Sequence, residues 1–256
     1  MSTNVQCKLC LGNDRLRRSH VLSEFVYRDL YDEYHRFYDL ATADGNDILF
    51  QQKCLRETLF CERCETQLSI YETYVAPLLR RPGGLAISSS REEIVNKVDY
   101  EKFKLFQLSI LWRAHIAEHP LFRKVDVGSK HGENLRKMLL VGDPGESHEY
   151  GCLMAAANID DRPMADFIGP SIHLKKDGHH HYALIFAGFV WSFIVSSHSQ
   201  TYSKSRFCLQ RDGSLILFPF DMSKSPGFLK IAFEIYEANK QGIEKLQAAK
   251  SDSAER

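Results

Sequence analysis

Four cysteines in two Cys-x-x-Cys pairs, Cys7/Cys10 and Cys61/Cys64, carry the clearest chemistry in this chain. Thiolates at that spacing supply the four sulfurs of a closed, tetrahedral zinc site. The long stretch between Cys10 and Cys61 exceeds a simple zinc ribbon, so an inserted element must lie between the pairs. His20, preceded by Ser19, falls in that stretch, and Glu65 follows the last cysteine directly. A neutral imidazole can take a proton from water attacking a phosphodiester. A divalent ion beside it can hold the scissile phosphate and stabilise the leaving oxygen. Glu72, seven residues after Glu65, falls on the same helical face as a second ligand or a group that orients His20. Glu24 is a weaker candidate for the same part. Arg17 and Arg18, with Arg28, Arg80 and Arg81, are available to line a phosphate path.

Other chemistry-bearing residues read more plainly. Cys54 lacks a partner at knuckle spacing and is not expected to be a ligand. Cys152 and Cys208 lie in apolar, strand-like segments and are expected in the core. Trp112 and Trp191 lie on apolar stripes. His179, His180 and His181 follow an Asp-Gly turn and are expected on an exposed hairpin. No Gly-Lys-[Ser/Thr] phosphate loop, dinucleotide fingerprint or nucleophile elbow is present.

The elements that must position these residues follow from periodicity. Arg17–Leu22 reads as a short strand. Apolar and aromatic residues from Ser23 to His35 fall near helical spacing. Ala41–Asp47 is a loop. From Glu65 a helix is expected, with Leu68, Tyr71, Tyr74, Val75 and Leu78 on one face, stopped at Arg80-Arg81-Pro82-Gly83-Gly84. Asp99–Glu118 predicts an amphipathic helix with Phe103, Phe106, Ile110, Ala114 and Ala117 along one stripe. A further helix is expected over Glu133–Val141. Strands are expected over Tyr150–Asn158, Ser171–Leu174, Tyr182–Phe186, Phe189–Val195, Phe207–Gln210 and Leu215–Phe220, with turns at Asp177-Gly178 and Asp212-Gly213. A closing helix is expected from Pro226 to Lys240. The fold class is α+β: a zinc-stabilised unit over 1–85, then an α+β domain with antiparallel strands over 86–256.

The 256 residues are 44% hydrophobic and 26% charged, enough to bury a core, although the first unit alone would need a staple such as zinc. Lys plus Arg (33) balances Asp plus Glu (33), so no global basic field points to nucleic acid, and a local strip would have to make the phosphate contacts. The polar start predicts no leader. Reduced, metal-held cysteines predict a cytoplasmic protein, and the longest apolar run, about Tyr182–Val195, is too short for a membrane span.

The succession Cys-x-x-Cys, Ser19-His20-Val21, then Leu59-Phe60-Cys61-x-x-Cys64-Glu65 resembles the HNH, or His-Me finger, nucleases. It looks most like their zinc-bearing subgroup typified by recombination endonuclease VII. The resemblance covers about 75 residues. It implies a ββα-metal module, with His20 as general base, Cys7, Cys10, Cys61 and Cys64 as structural Zn²⁺ ligands, and Glu65 holding a catalytic Mg²⁺ or Mn²⁺. Two positions depart from the family: Ser19 stands where Asp is frequent, and Glu65 where Asn or His is usual. The chain also resembles bacterial proteins with a Ser-His-[Ile/Val] step, a Cys-Glu knuckle and a later Trp-Arg helix, here Leu111-Trp112-Arg113. The activity implied is metal-dependent hydrolysis of nucleic acid, more naturally DNA, as an effector in bacterial antiphage defence. Residues 86–256, or a protein partner bound there, would do the targeting. The rival from another class is a catalytically inactive, zinc-stabilised nucleic-acid-binding or adaptor module, favoured by Ser19 and Glu65. A sequence-reading regulator is less favoured, since no recognition helix stands out.

Overall fold

A computed structural model describes residues 6–39, 49–80, 84–87 and 91–230, with 233, 234, 237, 240 and 244 beyond them. The expected loop over 41–47 and most of the closing helix past residue 230 lie outside the described residues; 226–230 are helical.

The first unit is built on one antiparallel pair. Strand β1 (Leu16–His20) is followed by β2 (Phe37–Asp39), β3 (Leu49–Gln51) and β4 (Arg56–Cys61). β1 pairs with β4, with Leu16 opposite Cys61 and His20 opposite Arg56, and a bulge falls at Arg17/Arg18. β2 and β3 form a separate two-stranded ribbon. β4 runs straight into helix α1 (Glu62–Arg80), which starts earlier than its periodicity suggests. Its inward face is Cys64, Leu68, Tyr71 and Val75, spaced as an amphipathic helix requires. The helix expected over 23–35 is instead a single 3-10 run, Glu24–Leu30. Ser23 makes no side-chain cap, and Asp32 accepts from the N–H groups of Tyr34 and Arg36, turning the chain before a helix can propagate.

The remainder is α+β. Strand β5 (Ile94–Lys97) leads to helices α2 (Tyr100–Ile116) and α3 (Gly128–Val141). Then come β6 (Cys152–Ile159), β7 (Arg162–Pro163), β8 (Gly169–Lys176), β9 (His179–Phe186), β10 (Phe189–Val195) and β11 (Ser214–Asp221). The sheet order is β5-β11-β6-β10-β9-β8, with β7 hydrogen-bonded to β6. Its pairs are antiparallel except β11 with β6, which is parallel. Asp177-Gly178 makes the expected tight β8–β9 turn, both residues with positive φ. Gly213, at φ +81°, is obligatory for a second reason: a Cβ there would sit 2.1 Å from the Val98 carbonyl oxygen. Around Cys208 the expected strand reduces to one bridge, Leu153 with Cys208.

Helix α2 is the centre of the molecule. Asp99 caps it by accepting from the Lys102 N–H. Its residues from Phe103 to Ala114 are all buried, not only the expected stripe, as befits a helix enclosed on every side. Trp112 stacks on Phe60 of β4, with ring centroids 5.6 Å apart, while Phe103 and Phe106 meet Trp191 of the sheet. One apolar cluster therefore runs from Cys7 to Leu217, and α1 and α2, on either side of residue 85, pack together. Among the described residues no helix is long and apolar enough to cross a membrane.

Burying α2 all round also buries Lys104, whose ammonium donates to the carbonyls of Tyr150 (3.1 Å) and Ser147 (3.4 Å). Desolvation holds its pKa down to about 8. The unfolded chain, with an ordinary value near 10.4, then binds more protons over the interval from about 8 to 10.4. Stability from this group therefore rises with pH through that window, by on the order of 3 kcal/mol in full. Denaturant unfolding of wild type and Lys104→Met at pH 7.5 and 10 should show wild type gaining on the variant. A gap that stays flat would contradict a depressed lysine.

Candidate functional site

The hairpin brings the cysteine pairs together at one end. β4 carries Cys61 into the first turn of α1, where Cys64 follows, and Lys8 N–H donates to the Leu59 carbonyl, docking the first knuckle on β4. That knuckle is a tight turn closed by Cys7 N–H to the Gly12 carbonyl and Leu11 N–H to the Cys7 carbonyl, with Leu11 at φ +59°. Arg136 of α3 holds it from outside, donating to the Leu9 carbonyl at 2.5 Å. The sulfurs of Cys7, Cys10, Cys61 and Cys64 all lie within 4.8 Å of one another. Cys10 Sγ is 3.8 Å from Cys61 Sγ, close to the edge of about 3.8 Å that Zn–S bonds of about 2.3 Å give a tetrahedron. Cys61 N–H donates to Cys7 Sγ at 3.4 Å, a backbone contact suited to a thiolate. The four cysteines can hold a metal ion such as zinc. Their protons point the same way. Burial raises the Cys10 thiol, but hydrogen bonds from the Gly12 backbone, Cys7, Cys64 and Arg63 outweigh it and bring it down to about 7. Burial pushes Cys61 up and Cys64 well up. Four thiolates gathered this closely require a cation among them.

His20 sits at the other end of β1. Leu16, level with Cys61, lies four strand steps from His20, about 13 Å. α1 runs back beside the hairpin at about 1.5 Å per residue, so Glu72, ten residues into it, draws level with His20. Glu65 stays at the cysteine end. The helix therefore does not bring Glu65 to His20, as a compact ββα reading expects. Glu65 is half-buried and its Oε1 has no hydrogen-bond partner. Glu72 is held by Arg113 of α2, whose guanidinium donates to it at 2.5 Å, to the His20 carbonyl at 3.0 Å and to Ser109 Oγ at 3.2 Å. Ser19, fully buried, accepts from Phe60 N–H, so it faces the interior of the hairpin and not a metal. Arg17 pairs with Glu62 on an exposed surface at 2.9 Å, and Arg18 is also exposed, both near the cysteine end.

The side chains that do meet the His20 imidazole are others. Its Nε2 lies 3.0 Å from Cys54 Sγ and 3.8 Å from Glu24 Oε2. Arg56, opposite His20 in register, donates from Nε to Cys54 Sγ at 3.4 Å and reaches within 3.8 Å of Glu24. Burial lowers the His20 pKa, Arg56 lowers it further, and Glu24 and Glu72 pull back. Burial and the neighbouring cations thus favour the neutral imidazole. Cys54, set aside for want of a partner cysteine, is brought in by the fold. The i, i+4 spacing of His20 and Glu24 was the only sequence signal for this corner. The three histidines follow the Asp177-Gly178 turn on the β8–β9 hairpin, as expected, but are themselves buried or half-buried. His179 is buried with Nδ1 2.8 Å from Ser196 Oγ, and His180 Nδ1 lies 2.8 Å from His173 Nε2.

In comparisons with known proteins, no family model, no curated protein and no solved structure matches this chain.

The two glutamates of α1 should behave oppositely. Glu72→Gln strips the buried Arg113 of its counter-charge and should destabilise by about 3–5 kcal/mol. Glu65→Gln removes no hydrogen bond from Oε1 and should stay within about 1 kcal/mol. Urea unfolding of both variants checks this; equal effects would mean that Arg113 does not depend on Glu72.

Proposed function

We propose that the chain is a metal-dependent phosphodiesterase acting on nucleic acid, preferably DNA, with a zinc-held ββα unit presenting His20. One observation carries the reading: a strand pair and a helix, joined at a four-cysteine cluster, hold a partly accessible imidazole at the end of the first strand, where burial favours its neutral form. That is the position a water-activating base needs. Zinc at Cys7, Cys10, Cys61 and Cys64 would hold the unit together. In the resemblance Glu65 would take the Mg²⁺ or Mn²⁺ ion, and its buried, unpartnered oxygen is suited to a cation at the cysteine end. The carboxylate at the His20 end is Glu24, 70% exposed and beside His20 and Arg56, where it would meet a phosphate-bound ion. Arg17 and Arg18 extend from the same strand toward solvent as phosphate contacts. Residues 86–256 are proposed to supply targeting, in a cytoplasmic setting such as antiphage defence.

A second reading, an inactive zinc-stabilised binding or adaptor module, has its own support. Ser19 and Glu72, which a nuclease site would spend on metal or base, are occupied in the hairpin and with Arg113.

Elemental analysis of the purified, reduced protein should find tightly held zinc. Cys61→Ser should release it and unfold the hairpin and α1, because small zinc units draw folding energy from the metal. Protein free of metal yet folded would refute the zinc assignment.

Catalysis is read separately. Plasmid DNA should be nicked in the presence of a divalent ion. His20→Ala should keep the zinc and the fold but lose about 10²–10⁴ in rate. Unchanged nicking in His20→Ala would remove His20 as the base, and no nicking by wild type on DNA or RNA with any divalent ion favours the adaptor.

A further inference from the structure

The corner around His20 holds a set of donors that neither the cysteine knuckles nor a simple imidazole base uses. His20 Nε2, Cys54 Sγ and a Glu24 carboxylate oxygen lie within 4.8 Å of one another. They come from three separate places: the end of β1, the 3-10 run after it and the segment entering β4. His20 ends β1 and Glu24 opens the 3-10 run, and the Val26 N–H bond to the Ser23 carbonyl shapes the turn that aims Glu24 back at His20. Arg113 anchors the His20 backbone from behind.

We infer that His20, Cys54 and Glu24 form a second metal site, with one coordination position open to solvent. One nitrogen, one sulfur and one oxygen select a borderline divalent ion, Zn²⁺ or Co²⁺, over Mg²⁺, which demands oxygen ligands. Three protein ligands and an open fourth position are the pattern of catalytic zinc, whereas the four-cysteine cluster has the closed pattern of structural zinc. Zn–N of about 2.0 Å and Zn–S of about 2.3 Å place N and S about 3.5 Å apart in a tetrahedron. The 3.0 Å His20–Cys54 contact, now bridged by a proton, opens by about half an ångström to accept the ion. Cys54 is buried, His20 is 17% exposed and Glu24 is 70% exposed, so the ligand shell closes on the protein side and opens on the solvent side. A water or a phosphate oxygen would take that position.

Arg56 is the internal competitor. It touches both Cys54 and Glu24, supplying the positive charge that an ion would otherwise supply. Its side chain is 35% exposed and can leave for solvent when the ion enters. Removing it should therefore strengthen metal binding, an effect that a purely structural role for the cluster does not predict.

Binding rests on this geometry alone; only the use of the open position rests on the phosphodiesterase reading. An imidazole bound to an ion is not a free base, so within that reading the ion would take over water activation from His20.

The test uses the full chain, reduced and loaded with one zinc at the cysteine cluster, titrated with Co²⁺ alone. Wild type should take a further equivalent and develop a thiolate-to-cobalt charge-transfer band. The band and the equivalent should vanish in Cys54→Ser, weaken in Glu24→Gln and appear at lower Co²⁺ in Arg56→Met. The first zinc and the circular dichroism should stay unchanged in all three. Glu24 is solvent-exposed, so its variant reports even if Cys54→Ser folds poorly. No second equivalent in wild type, or a band that survives in Cys54→Ser, overturns the site. Nicking measured on the same samples separates the two claims. A second equivalent without nicking keeps the metal site and removes the phosphodiesterase. Nicking by wild type without a second equivalent does the reverse.

Discussion

A single guanidinium, that of Arg113, ties the elements of this molecule that matter for chemistry. It is 3% exposed, and it donates at once to the end of β1, to the middle of α1 and to its own helix. Removing a cation from water this fully is expensive, and the expense is offset only when acceptors surround it in good geometry. Arginine can meet that demand because its planar fork addresses several acceptors in fixed directions. The same demand makes the arrangement specific. β1 cannot slide on β4, nor α1 rotate, without leaving the charge uncompensated. Trp112, one residue earlier on α2, stacks on Phe60 and adds an apolar lock beside the ionic one. The position of His20 follows from where these two side chains sit, more than from anything local to the Ser19-His20 step.

The hairpin thereby acquires two ends with different chemistry. At the Cys61 end, four sulfurs gather where β4 turns into α1. At the His20 end, an imidazole, a thiol and an exposed carboxylate gather where the chain leaves β1. About 13 Å of strand, more than a Debye length at physiological salt, keeps them apart, so a cation at one end has little direct influence on a pKa at the other across water. Glu65 belongs to the first end and Glu24 to the second. This explains how a carboxylate directly after the last cysteine, the obvious partner in the linear pattern, fails to be the partner of His20 in space.

What could be read from the chain divides along the same physical line. The four-cysteine cluster was legible because two x-x spacings encode local turns, and four thiolates have few other uses. Helix α1 was legible because Leu68, Tyr71 and Val75 recur with its period. The α+β class with antiparallel strands was legible from alternation and from the Asp177-Gly178 turn. The parallel pairing of β11 with β6 was not, since it joins segments far apart in sequence with no local signature. The full enclosure of α2 was masked by its polar residues. Lys104 and Gln107 flank the apolar stripe on one side and Ser109 and Arg113 on the other, yet each is buried. Cys54 was discounted by the rule that ligand cysteines come in pairs, which holds for knuckles and is silent about a thiol delivered by tertiary packing. The expected helix over 23–35 lost to Asp32, whose side chain captured two backbone N–H groups.

That lost helix has a consequence for the site. In an α-helix, His20 and Glu24 would sit a full turn apart on a straight face, with their side chains leaning toward the helix N-terminus. Here His20 is still strand, and the chain turns through Val21, Leu22 and Ser23, all buried, before the 3-10 run begins at Glu24. The buried triplet acts as a hinge pinned in the core. It folds Glu24 back over the imidazole while leaving its carboxylate in water. A polar residue at Val21 or Leu22 would loosen that return and move Glu24 away without touching any ligand atom. The geometry of the corner is therefore held by apolar packing beneath it, with the polar groups free to exchange a proton, an arginine or an ion for one another.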